Sequence, residues 1–97
     1  MYNKDITLEN GDKVMIVEVK SKPTTEDINE HVERMQKLRA WADFRDDKRK
    51  FLGAIAGTII SENVKTYAFK NGFFIIQPSG ETFDIVPPEG GYTPKEW

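Results

Sequence analysis

The chain of 97 residues suffices for one domain, and its 38% apolar share and eleven aromatics (two Trp, three Tyr, six Phe) exclude a disordered tail. Fourteen basic against sixteen acidic residues leave a net charge of −2, which argues against coating nucleic acid by bulk electrostatics. Without cysteine there are no disulfides or thiolate zinc sites, and no stretch approaches the roughly 20 apolar residues of a membrane span; Met1–Asp5 leads into no signal-peptide core, so a cytoplasmic placement is expected.

The first element is a hairpin. Ile6-Thr7-Leu8-Glu9 alternates apolar and polar, and Asn10-Gly11 follows. Asp12 to Lys20 then runs through Val14, Met15, Ile16, Val17 and Val19. Asn-Gly between two such runs signals a tight turn, because both residues tolerate positive φ. Thr24 is placed to cap a helix, with Asp27 three residues on and acids in its first turn. Ile28, Val32, Met35, Leu38 and Ala42 recur at helical spacing, which predicts one long amphipathic helix to about Phe44.

Arg45 to Lys50 reads as a solvated charged link, and Phe51 to Ile60 as a buried strand. Gly53, Ala54, Ala56 and Gly57 in that strand would admit a helix or a neighbouring backbone at close range. Ser61 caps a short helix through Phe69, and Asn71-Gly72 ends it. Phe73 to Gln77 is a strand, Pro78-Ser79-Gly80 a turn, and Thr82 to Val86 the last strand. The tail from Pro87 to Trp97 is expected to wrap the surface irregularly, docking Tyr92 or Trp97. The order is ββαβαββ in one domain, residues 1–97: an α/β fold whose mixed sheet carries one long and one short helix.

Register arithmetic gives the first hairpin two unlike faces. If Asn10 and Gly11 form the loop, Glu9 faces Asp12 and Asp5 faces Ile16. Alternation then projects Asp5, Ile16, Glu18 and Lys20 from one side. The other side carries Ile6, Leu8, Met15, Val17 and Val19, and this is the expected core face. Asp5 and Glu18 become diagonal neighbours, and two carboxylates so placed repel unless a positive charge lies between them. Magnesium suits such hard oxygen ligands. Lys20, on the same face, could hold a phosphate oxygen or orient an attacking water.

An acid in a first strand, a short turn, then Glu-x-Lys closing an apolar second strand resembles the signature of the PD-(D/E)xK nuclease superfamily; here it is Asp5, then Val14-Met15-Ile16-Val17-Glu18-Val19-Lys20. Gly11-Asp12-Lys13-Val14, Gly53-Ala54-Ile55-Ala56-Gly57, Asn71-Gly72-Phe73-Phe74, Ser79-Gly80-Glu81 and Pro94-Lys95-Glu96-Trp97 are similar to an uncharacterised bacterial family assigned to that superfamily, so the likeness spans nearly the whole chain. The resemblance implies a restriction-endonuclease-like fold and a metal-dependent endonuclease acting on DNA. Asp5, Glu18 and the Val19 carbonyl would hold Mg2+ or Mn2+, and Lys20 would stabilise developing charge. The chain departs from the pattern in having only four residues ahead of Asp5, where members carry a helix. That departure points to another copy, or to an N-terminal region of a larger protein, over the open side. It also admits a second reading, a non-catalytic interaction or oligomerisation module on the same fold.

The remaining candidates have plainer readings. Arg45, Lys48, Arg49 and Lys50 form the densest basic cluster; together with Lys22 they are the candidate DNA contacts, against the simpler reading of a solvated loop. His31, the only histidine, sits at the edge of the apolar stripe, where packing and hydrogen bonding are expected rather than ligation. Gln36 could point towards the acids from the same helix. Phe51, Phe69, Phe73, Phe74 and Phe83 are expected to be core, not a base-stacking platform.

Overall fold

The computed structural model describes residues 4–88 and 90–97. Its elements follow the expected order: β1 (Lys4–Asn10), β2 (Lys13–Val19), α1 (Thr25–Phe44), β3 (Lys50–Ala56), α2 (Glu62–Lys70), β4 (Phe74–Ser79) and β5 (Thr82–Val86). The five strands form one sheet in the spatial order β1-β2-β3-β4-β5, with antiparallel outer pairs and parallel inner pairs. Both parallel connections run through a helix and step across the sheet in the same direction. Right-handed crossovers of that kind deliver both helices to one face. The result is two layers, helices on a mixed sheet.

Local chemistry explains the ends. The Thr24 hydroxyl accepts from the Asp27 amide, and the Asp27 carboxylate accepts from the Thr24 amide at 2.8 Å, closing a capping box at the start of α1. The Ser61 hydroxyl accepts from the Val64 amide in the same way on α2. Gly72, at φ 85°, turns the chain out of α2, while the Gly72 and Phe73 amides donate to the Phe69 and Ala68 carbonyls. β3 stops at Ala56, short of the expected Ile60, and β4 runs on to Ser79, so that Pro78 lies within a strand and Gly80-Glu81 makes the turn.

The core lies between the helices and the strand residues Val14, Ile16, Phe51, Ile55 and Ile75, with Ile28, Met35, Ala42, Val64, Ala68 and Phe69 from above. Phe73, fully buried, comes so close to β3 that a Cβ on Gly53 would stand 2.5 Å from its ring. The small residue at position 53 therefore admits an aromatic ring rather than a helix backbone. The tail closes this end of the core: the Trp97 ring stacks on Phe73 at 5.6 Å, and its amide donates to the Phe51 carbonyl at 2.8 Å.

The expected core face is the other one. Ile6, Leu8, Met15, Val17 and Val19 share a side with Ala54, Ala56, Phe74 and Ile76, and both helices pack on the opposite side, over Val14 and Ile16. The assignment fails because both faces of the hairpin are apolar along most of β2, so alternation alone cannot choose between them. Crossover handedness chooses. Phe83 is also not core: it is 71% exposed on the bare face, near Ile85.

Candidate metal centre and its polar network

The hairpin register differs from the arithmetic by one pairing step. Asn10 pairs with Lys13, the loop is Gly11-Asp12 with Gly11 at φ 65°, and Asp5 stands directly across from Glu18 instead of Ile16. A shift of two residues preserves the faces. It changes the neighbour, and the two carboxylates become an immediate cross-strand pair, closer than the diagonal placement implied.

Glu18 is 2% exposed, beneath α1. Burial first, and the adjoining Asp5 carboxyl second, push its carboxyl up from the ordinary 4.5 to about 7, against the lowering pull of Arg34. Arg34, on α1, is the compensating charge. Its Nη1 donates to Glu18 Oε2 at 2.8 Å, and its Nε lies 3.4 Å from Asp5 Oδ2. The same Nη1 is 3.0 Å from His31 Nδ1, and His31 Nε2 is 3.1 Å from the Ile16 carbonyl. Because a guanidinium only donates and a carbonyl only accepts, His31 must be neutral with its proton on Nε2. Its burial, which holds the ring below the ordinary 6.5, agrees with that tautomer. One chain of hydrogen bonds therefore joins Ile16, His31, Arg34 and Glu18.

Lys20 lies on the same face but is turned away. Its Nζ donates to Asp27 Oδ1 at 2.8 Å, a partner that raises its pKa. Burial works against the Asp27 carboxylate, yet hydrogen bonds from Lys20 and Thr24 outweigh it and hold its carboxyl below the ordinary 3.8. Asp27 thus serves the helix cap and the strand lysine at once. Val19 follows Glu18 with its side chain on the opposite face, between Lys4 and Ala56.

The structure brings Asp5, Glu18 and the start of α1 together and leaves the basic cluster elsewhere. Lys50 pairs with Lys13 at the far end of β2, five residues from Glu18 and so roughly 17 Å away along the strand. The cluster is also largely neutralised. Arg49 binds Asp47, pulling that carboxyl down to about 2, and also pairs with Glu9; Lys48 pairs with Asp46 and Lys50 with Glu96. Arg45 leans over the Trp41 ring, and Lys22 is exposed in the link between β2 and α1. Gln36 faces the tail, beside Lys95 and Trp97, not the acids.

Arg34 is the functional residue that sequence reasoning missed. A signal existed: Asp27, His31 and Arg34 recur at helical spacing along the stripe that carries Ile28 and Met35. Polar residues so placed on a buried stripe must find partners in the facing strand.

The donor chemistry fits a divalent cation. Two carboxylates on adjacent strands are hard oxygen ligands, and the Arg34 guanidinium is a stand-in cation between them. Arg34 is 31% exposed at its side chain and lines a groove of about 510 Å³ with Glu30, Glu33, Lys37, Leu38 and Trp41. Among the described residues no group of three or more His, Cys, Asp or Glu is placed to hold a metal ion. No helix of the described residues is long and apolar enough to cross a membrane. Comparison with protein-family models, curated proteins and solved structures returns no match.

Proposed function

We propose that this chain is a PD-(D/E)xK nuclease-like domain of the cytoplasm, in which Asp5 and Glu18 take Mg2+ or Mn2+ and DNA phosphodiesters are the substrate. The observation that carries the reading is the direct cross-strand pairing of Asp5 with Glu18, two carboxylates sharing one cationic partner. Asp5, Glu18 and the Val19 carbonyl would hold the metal, which when bound would polarise a phosphoryl oxygen and make hydroxide available from water near neutral pH.

The chain's own residues prepare the site. Burial of Glu18 under α1 makes its carboxylate costly to leave unpaired, which favours capture of a cation. Arg34 neutralises the pair at rest, and His31 fixes the guanidinium from behind at 3.0 Å. Lys20, released from Asp27, would hold a phosphate oxygen or orient the attacking water; both need a lysine on this face and one residue past the metal ligands.

The test is cleavage of supercoiled plasmid with Mg2+ or Mn2+ by the wild type, Glu18→Gln and Lys20→Ala. The reading expects metal-dependent nicking that falls by at least about a hundredfold in either variant. Equal nicking by all three proteins would contradict it. So would metal-saturated wild type that never cuts, and that outcome would favour the second reading, a non-catalytic assembly module. One observation supports the second reading already: Arg34 and Asp27 satisfy all three members of the triad.

A further inference from the structure

The chain has two Asn-Gly steps, Asn10-Gly11 and Asn71-Gly72. Asparagine followed by glycine is open to reaction with its own backbone, because glycine has no Cβ to keep the next main-chain nitrogen away from the side-chain amide carbon. The fold gives the two steps opposite surroundings.

Asn71 is restrained at the groups the reaction needs. Its Nδ2 donates to the Tyr67 carbonyl at 2.8 Å, which pins the side chain back along α2. The Gly72 amide, the would-be attacking group, donates to the Phe69 carbonyl at 3.0 Å, and the Gly72 carbonyl accepts from the Lys95 amide at 2.8 Å. Lys95 packs so closely here that a Cβ on Gly72 would stand 2.5 Å from the Lys95 Cβ. Asn10 lacks these restraints. It is exposed at the end of β1, an edge strand of the sheet. The ties nearby belong to Glu9, which pairs with Arg49, and to the Asp12 carbonyl, which accepts from the Lys50 amide at 2.8 Å; among the described residues none holds the Asn10 side chain or the Gly11 amide. No atom lies within 4 Å of where a Gly11 Cβ would stand, so water reaches the turn.

We propose that Asn10 is a self-modifying residue, which the folded chain converts to aspartate and isoaspartate without an enzyme. The Gly11 nitrogen bonds to Asn10 Cγ, the Cγ–Nδ2 bond breaks, and ammonia leaves with the Gly11 amide proton. Water then opens the succinimide ring. Breaking its bond from nitrogen to Cγ gives aspartate, and breaking its bond from nitrogen to the main-chain carbonyl carbon gives isoaspartate. The attack needs the end of the hairpin to open briefly, which costs least at an exposed sheet edge. Isoaspartate carries the main chain through Cβ and lengthens it by one carbon, at the residue that pairs with Lys13. The register that sets Asp5 across from Glu18 is counted from that pair, so the product strikes the hairpin where its alignment begins. The reaction itself needs no metal and no nuclease chemistry.

The test incubates the full chain in mildly alkaline buffer, folded and in guanidinium chloride, and follows both asparagines by peptide mass mapping. Circular dichroism checks that the folded sample stays folded. In the folded chain Asn10 should convert at least about tenfold faster than Asn71, with isoaspartate among its products. Guanidinium chloride should bring the two rates within about threefold of each other, because it removes the bonds that shield Asn71. Equal rates at the two asparagines in the folded chain would overturn the proposal. So would an Asn10 that stays intact when folded, or a product that is aspartate alone, the mark of direct hydrolysis without the ring.

Discussion

Arg34 Nη1 stands 2.8 Å from Glu18 Oε2 and 3.0 Å from His31 Nδ1, so a single guanidinium nitrogen ties the floor of the sheet to a neutral imidazole on the helix above it. Removing that guanidinium leaves a buried carboxylate facing Asp5 with no counter-charge. Arg34→Met should therefore lower stability in urea by about 1–3 kcal/mol, below the loss typical of a fully buried pair because the arginine is partly solvated. The same change removes the internal competitor for metal. Millimolar Mn2+ should restore stability to Arg34→Met more than it raises that of the wild type, through the linkage of binding to folding. Equal responses of the two proteins would argue against a shared cation site.

The pH dependence of stability carries the signature of Glu18. Its folded pKa of about 7 lies above the ordinary 4.5, so the native state keeps a proton that the unfolded chain releases. Between those values the unfolded chain binds fewer protons, and this group's contribution falls as pH rises, flattening above about 7. The total change is on the order of 3 kcal/mol. His31 acts oppositely: its pKa is lowered, so its contribution grows as pH rises towards 6.5. Asp27, also lowered, loses its contribution only as pH drops below 3.8 and its carboxylate protonates. Comparing wild type with Glu18→Gln by urea unfolding at pH 5 and pH 7.5 isolates the first term. The variant should gain relative to the wild type as pH rises.

Gly53 and Phe73 form a steric pair. A Cβ at position 53 would meet the Phe73 ring at 2.5 Å, and that ring is 1% exposed. Gly53→Ala should cost about 2–3 kcal/mol by thermal or urea unfolding. Phe73→Leu in the same chain should recover part of that loss, giving a coupling of at least about 0.5 kcal/mol in a double-mutant cycle. Strict additivity would mean that the close approach is relieved elsewhere.

Much of the fold was legible from local signals. The capping box at Thr24 and Asp27, the stripe from Ile28 to Ala42 and the Gly72 stop set both helices to within a residue or two. The face of the hairpin was not legible, since Val14, Ile16, Met15, Val17 and Val19 are apolar on both sides and only the handedness of the crossovers decides which side the helices cover. The turn register was missed for a related reason. Asn10-Gly11 and Gly11-Asp12 both suit a tight turn, and bringing Asp5 opposite Glu18 depends on Asn10 joining β1 and Asp12 leaving β2 for the turn. The acids themselves were visible in the sequence. Their partner Arg34 was hidden because a helix must be docked on the sheet before a cation 16 residues from Glu18 counts as a neighbour.

The central claim is that Asp5 and Glu18 form one divalent-cation site. Calorimetric titration of Mn2+ into the wild type and into Asp5→Asn and Glu18→Gln at pH 7.5 tests it most directly. The account predicts one ion per wild-type chain and at least about tenfold weaker binding in each variant. Absence of binding to the wild type, or binding that survives both substitutions, would contradict it.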